Sequence, residues 1–449
     1  MGANFRKDTQ AFLNDSKTIF EVPMIATKDG NVVDRVNPFP VTPTGSAVDA
    51  FGRLRISEPF TLFDSSHRFA DNGLFHSSIT GDASATFSAN EGLVNLTVGD
   101  NANNEIIRET TKCFSYQPGK SLLTFNTFVM NAPKTGLRQR VGYYGAKNGI
   151  YFEQDGTTIN FVERDFITGS LNETRKSQSE WNGDKLDGTG LSKKTLDITK
   201  AQILYIDMEW LGLGSVRCGF VIDGELIICH TFHHANLITS TYITTASLPI
   251  RYEIKQQSEL GDSSTATLKQ VCSTVISEGG YELRGKQQAI GTTVSSPKDL
   301  PSPAGTFYPV VAIRLKTSPD RLDAIVILTA LSMLGVTNNA FYNWQVRVGG
   351  SITEPGSPTG WISAGADSAV EYKLDGIGVN GTFRTLASGF FTSTTQAAVP
   401  VDILKEALFK FQLERNSFTS TPEILYLAIA TNSAGADVYA TLDWEEISR

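Results

Sequence analysis

Charge is scarce in this sequence, and cations are scarcer than anions. Of 449 residues, 39 are Lys or Arg and 47 are Asp or Glu, a net charge of −8 in a charged fraction of only 19%. Without a basic excess, a dedicated nucleic-acid binder is excluded. The four cysteines, Cys113, Cys218, Cys229 and Cys272, are too few for a disulfide scaffold. No apolar run reaches the ~18–20 residues that cross a bilayer as a helix. The most apolar stretch, 324–336, is interrupted by Thr329, Ser332 and Gly335. The opening MGANFRKDTQ lacks the apolar core of a signal peptide, and Arg6 stands where a myristoylation motif wants Ser or Thr. The expectation is synthesis in a cytoplasm and no membrane insertion. No G-x-S-x-G, Walker or Rossmann fingerprint occurs, so no cofactor and no enzyme activity are expected.

What is present is globular: 40% hydrophobic residues, 10% aromatic. The length suggests two or three domains at ~150 residues each. Residues 1–48 read as an extended arm punctuated by Pro38, Pro40 and Pro43. Arg53 and Arg55, with Arg138 and Arg140, are the main local basic groups, expected to hold carboxylates or an interface.

From 49 to 280 the text alternates with the period of two expected of half-buried strands, as in Val94, Leu96 and Val98 against Asn95 and Thr97. Two hairpins can be given a register. In GIYFEQDGTTINFV a turn at Asp155-Gly156 pairs Phe152 with Ile159 and Ile150 with Phe161, all on one face. In VRCGFVIDGELIICH a turn at Asp223-Gly224 pairs Phe220 with Ile227 and Cys218 with Cys229, while Val221 meets Leu226 and Gly219 meets Ile228. Both faces of this hairpin are apolar, which predicts a central position covered on both sides. It also leaves a Cys218–Cys229 bridge conceivable, against the reducing compartment. Residues 281–303 turn polar and read as a linker. A second β series fills 304–449, ending in a strand that turns Val438, Ala440, Leu442 and Trp444 to one side. One short helix is expected after Pro400, from Ile403, Leu404, Ala407 and Leu408. The fold class is therefore all-β: an arm, a lectin-like (concanavalin-like or jelly-roll) β-sandwich, and a second, jelly-roll-like β-sandwich.

The chemistry is sparse. Asp207 and Glu209 in ILYIDMEWLG are two apart, so a strand would set both carboxylates on one face, with Tyr205 before them and Trp210 after. The stretch looks like the E-x-D-x-E strand of laminarinase-type glycosidases, but Tyr205 occupies that family's nucleophile position. These four residues mark a candidate glycan-binding or interface face. His230, His233 and His234 form H-x2-H-H, a weak metal candidate with no completing Cys or Asp set.

In order along the chain stand DAFGRLRISEPFTLFDS, YQPGKSLLTF, GYYGAKNGIYFEQDGTT, LDITKAQILYIDMEWLGLGSVRCGFVIDGELI, LPIRYEI and CSTVISEGG. This series, over about 49–280, resembles a family of tailed-bacteriophage virion proteins common in marine and cyanobacterial phages. The C-terminal text from GTFYPVVAIRL to DWEEI is similar to the sandwich that often follows it. The resemblance implies a non-enzymatic structural protein of the virion, and transfers no catalytic residue. The expectations are a homo-oligomer, a trimer first, and partners among other virion proteins and host-surface glycans. The position is tail, baseplate or fibre, with capsid decoration or head fibre as the alternative and polysaccharide depolymerase as the lesser one.

Overall fold

The computed structural model describes residues 9–13, 19–23, 58–259, 264–301, 303–356, 360–393 and 411–448. The chain divides into two compact units, 1–57 and 58–449. In the first, Thr9–Leu13 and Ile19–Pro23 pair antiparallel. The rest of the expected arm, Arg53 and Arg55, and the helix expected after Pro400 lie outside the described residues.

The second unit is all-β among its described residues, apart from short 3-10 turns such as Gln178–Glu180. Its N-terminal half is a sandwich of two antiparallel sheets. Seven strands run in the spatial order Asn172–Ser177, Thr158–Asp165, Gly149–Asp155, Leu137–Tyr144, Ile250–Gln256, Glu105–Thr110 and Phe75–Thr80. The facing sheet orders Glu225–Phe232, Val216–Ile222, Gln202–Met208, Ser121–Val129, Ala266–Glu278, Leu93–Val98 and Ala83–Ser88, and Pro59–Ser66 also pairs with Ala266–Glu278. Alternation fills the space between them. Val141, Phe152 and Phe161 from one sheet and Leu204, Ile206 and Phe220 from the other belong to one buried cluster. Phe220 meets Phe152 edge-on, ring centroids 5.2 Å apart.

The hairpin at Asp223-Gly224 keeps its expected register for Val221↔Leu226, Phe220↔Ile227 and Gly219↔Ile228. Asp223 (φ 54°) and Gly224 (φ 82°) both take the left-handed conformation that this two-residue turn demands. Beyond Gly219 a β-bulge sets Cys218 opposite His230 instead of Cys229. All four cysteines are free thiols. The hairpin is also not central: Glu225–Phe232 is the edge of its sheet, and Leu226 and Ile228 are exposed on the outer face. The other hairpin slips by one residue on each side. Asp155 pairs with Thr158, so the turn is Gly156-Thr157, and Phe152 meets Phe161. A slip of this parity leaves the faces unchanged, and Ile150, Phe152 and Phe161 stay buried, with Ile159 packed beside them.

The C-terminal half is a second sandwich. Six strands are ordered Ile362–Ser363, Val370–Lys373, Tyr308–Leu315, Leu425–Thr431, Phe341–Thr353 and Gly378–Thr392. Against them lies a four-stranded sheet built on Ala436–Ser448, which pairs with Lys286–Gly291, Lys298–Leu300 and Ile325–Gly335. Val438, Ala440, Leu442 and Trp444 enter the core as a set. Residues 281–303 are thus not a free linker. Two segments of that polar text are strands on this sheet, where partly exposed edge positions tolerate Lys, Gln and Thr.

Candidate functional site

The strand Gln202–Met208 sends Leu204, Ile206 and Met208 into the core and turns Tyr205 and Asp207 to the outer face of the eight-stranded sheet. Asp207 is buried on that face. In the neighbouring strand Arg217 stands directly opposite, and its guanidinium pairs with the Asp207 carboxylate. Burial raises the Asp207 carboxyl above its ordinary range, and the Arg217 charge offsets only part of the rise. The strand ends at Met208, so Glu209 begins a turn, with its backbone N–H donating to the Ser215 carbonyl at 3.1 Å. Glu209 is exposed and has no salt-bridge partner among the described residues.

Asp207 and Glu209 nevertheless meet at one place. Both line a cavity of about 510 Å³ together with Tyr116, Lys120, Arg217 and His233. The Tyr116 hydroxyl is buried there against the backbone of Gly119, Trp210 and Leu211, and burial raises its pKa. A second cavity, of about 650 Å³, lies at the other end of the same strands, against Thr127, Ile203 and Val221. Tyr205 lies between them with its hydroxyl buried and unpaired, and burial pushes that phenol up. Its ring fits only because Gly219 is opposite: a Cβ there would come within 3.0 Å of Tyr205 Cε1 and 2.0 Å of the Ile227 carbonyl.

Trp210 does not join this surface. It packs against the core, edge-on to Tyr116 at 5.9 Å, and its indole N–H donates to the Ile243 carbonyl at 3.4 Å. The three histidines diverge. His230 is buried edge-on to Phe232 and accepts from the Asn182 backbone N–H; burial pushes it down to about 4. His233 is exposed beside Ser215 Oγ at 3.2 Å. His234 is buried, with one ring nitrogen 2.7 Å from Glu163 Oε2 and the other against the Gly214 carbonyl. No group of three potential ligands occurs among the described residues, so the H-x2-H-H spacing assembles no metal set. Asp184 caps the Leu186 and Ser192 N–H groups at 2.9 and 2.7 Å, which is turn chemistry.

Sequence reasoning missed Tyr116, Lys120 and Arg217. Arg217 lies on the strand of the Asp223-Gly224 hairpin, but its pairing with Gln202–Met208 is a separate ladder that the hairpin does not give. Tyr116 and Lys120 come from a loop 90 residues earlier, and nothing local connects them to Asp207.

No protein-family model matches the chain, and no curated protein matches it. Three solved structures illustrate its likenesses. Arcelin-5, a lectin-like defense protein from Phaseolus vulgaris, aligns at 12% identity and a TM-score of 0.30, over 49% of this chain and 99% of its own. A legume lectin-like domain from Entamoeba histolytica aligns at 10% and 0.27, over 47% and 90%. A family GH16 protein of a Bacteroides ovatus mixed-linkage glucan locus, in complex with its product, aligns at 10% and 0.32, over 48% and 99%. Likenesses of this size carry nothing about chemistry.

Proposed function

We propose that this chain is a non-enzymatic structural protein of a tailed-bacteriophage virion, made in the host cytoplasm and assembled in the tail, baseplate or fibre apparatus as a homo-oligomer, with a trimer expected. On this reading the outer face of the eight-stranded sheet is its contact surface, taking a host-surface saccharide or a neighbouring virion protein. The resemblance over 49–280 supports the particle. One observation supports binding over hydrolysis. A retaining glycosidase needs a carboxylate nucleophile ~5 Å from a carboxyl acid. Here the nucleophile position is a buried tyrosine, and the next acid, Asp207, is tied to Arg217. What remains is a cavity of hydroxyl, carboxylate and cationic groups of the kind that hydrogen-bonds a polyhydroxylated ligand.

The test has two arms. Mass spectrometry of purified virions is expected to find the chain, and its absence from intact particles defeats the proposal. A glycan array with recovery of the sugar is expected to return it unchanged. The exposed Glu209 is the observation that favours a depolymerase; sugar release abolished by Glu209→Ala would establish that reading instead.

A further inference from the structure

The cavity wall opposite Asp207 is the loop 209–215, and its backbone is under strain. Leu211, exposed on the cavity, sits at φ 39°, a left-handed conformation costly for a leucine. Gly214 folds back so closely that a Cβ would come within 2.4 Å of the Glu209 carbonyl. Such a loop keeps its shape only if its surroundings hold it, and the holds are specific. The Tyr242 N–H donates to the Gly212 carbonyl at 3.0 Å, and the Tyr242 hydroxyl to the Glu209 carbonyl at 3.2 Å. Behind them His234 stacks flat on the Tyr242 ring, centroids 4.0 Å apart.

The two nitrogens of His234 settle its protonation by geometry. Nε2 faces a carboxylate oxygen of Glu163, and Nδ1 faces the carbonyl of Gly214. With Glu163 as the carboxylate, both partners are acceptors only. A neutral imidazole has one donor and one acceptor nitrogen, so either tautomer would aim a lone pair at an acceptor; the imidazolium alone satisfies both.

We propose that His234 is a positioning residue of the cavity: its imidazolium ties Glu163, on the seven-stranded sheet, to the Gly214 carbonyl and so holds the 209–215 loop in the shape that walls the site. The inference rests on the reading of that cavity as a binding site. It makes the site pH-sensitive in one direction. Burial works against the charge on His234, but the Glu163 hydrogen bond and charge and the Gly214 carbonyl outweigh it, so the pKa is raised. A raised folded pKa means that the tie is fully present below the ordinary histidine value and is lost as pH rises through the folded one. The Tyr242 phenol stacks on this histidine, with the Cys218 thiol, Tyr116 and Glu209 around that phenol and His233 next in sequence; burial raises the Tyr242 phenol and the Cys218 thiol. Raised as they are, the phenol and the thiol stay neutral where His234 titrates.

The test needs no sugar. Backbone amide exchange of the 209–216 segment is followed in the free protein from acid to mildly alkaline pH, corrected for the intrinsic rate, alongside the imidazole carbon shift of His234. Protection should fall about tenfold or more through one transition that coincides with the His234 titration, the loss expected of a charge-assisted hydrogen bond. Glu163→Gln keeps an acceptor but removes the charge, and should move the transition to lower pH. His234→Gln should give low protection with no transition. Protection in the native chain that is flat across the range would overturn the inference, as would a midpoint unmoved in Glu163→Gln. Because these readouts use the free chain, they can fail while the array still shows sugar binding, or succeed while it shows none.

Discussion

The two outer faces of the first sandwich use charge in opposite ways. On the seven-stranded sheet the carboxylates are locked. Glu153 takes Arg140 at 2.7 Å and Arg175 at 2.8 Å; Glu253 takes Arg138 at 2.6 Å; Glu173 takes Arg164 at 2.6 Å. Arg164 also lies over Tyr144 and Tyr151, 5.3 and 5.1 Å from their centroids. Glu153 and Arg140 are almost wholly buried. On the eight-stranded sheet the acids are loosely held. Asp207 has one partner, itself half exposed, Glu209 projects from a strained loop, and Tyr205 keeps an unpaired hydroxyl. A buried ionic lattice leaves little capacity for a ligand, whereas unpaired polar groups beside a cavity do. A low charged fraction thus becomes informative through its distribution: several of its scarce charges are locked together on one sheet face.

Substitutions sharpen this contrast. The largest effect is expected from Arg140→Met, which leaves Glu153 and Glu253 each short of a buried partner. It should lower unfolding stability by about 3 kcal/mol or more in urea denaturation, with no specific effect on the other face. Arg217→Ala should cost less, about 1–2 kcal/mol, since Arg217 is half exposed though Asp207 is buried, yet weaken saccharide retention on an array by about tenfold. Equal stability losses from the two variants would erase the distinction between the faces.

The faces should also titrate with opposite sign. The charges of Arg140 and Arg164 and the Tyr151 hydroxyl overcome burial and hold Glu173 down at about 2. Its contribution is present above the ordinary glutamate range and is lost as pH falls through about 2. Asp207 is raised, so its contribution is present in acid and lost as pH rises through its folded value. Carboxyl carbon shifts during an acid titration would read both; Glu173 titrating above Asp207 would invert the comparison. The smallest effect is expected from Tyr205→Phe, which removes a hydroxyl that has no partner. Its stability should change by less than ~1 kcal/mol, in either direction.

Much of the architecture was legible because period-two alternation is a local signal. The Asp223-Gly224 register was read correctly up to the bulge because two consecutive left-handed residues leave the turn little choice. The Asp155-Gly156 turn was read one residue early because Asp155 is itself the last paired residue and Thr157 completes the turn. The polar text 286–291 passed for linker because an edge strand with one exposed face can be written in Lys and Gln. The Leu226 and Ile228 face passed for core because composition does not tell an exposed apolar edge from a covered one. The ionic lattice was invisible for another reason. Arg140 and Glu253 are brought together by strands more than a hundred residues apart, and no local pattern encodes that pairing. At the site, spacing put Asp207 and Glu209 on one strand face, but the strand ends at Met208 and Glu209 stands in the turn; the partners Tyr116 and Lys120 followed only from the fold.

A cryo-EM map of the intact particle tests the central claim most directly. The account predicts density for both sandwiches at the tail, in a copy number that is a small multiple of three or six, with the eight-stranded face turned outward or against a neighbour. A map that places the chain on the capsid faces in hundreds of copies, or nowhere in the particle, would contradict it.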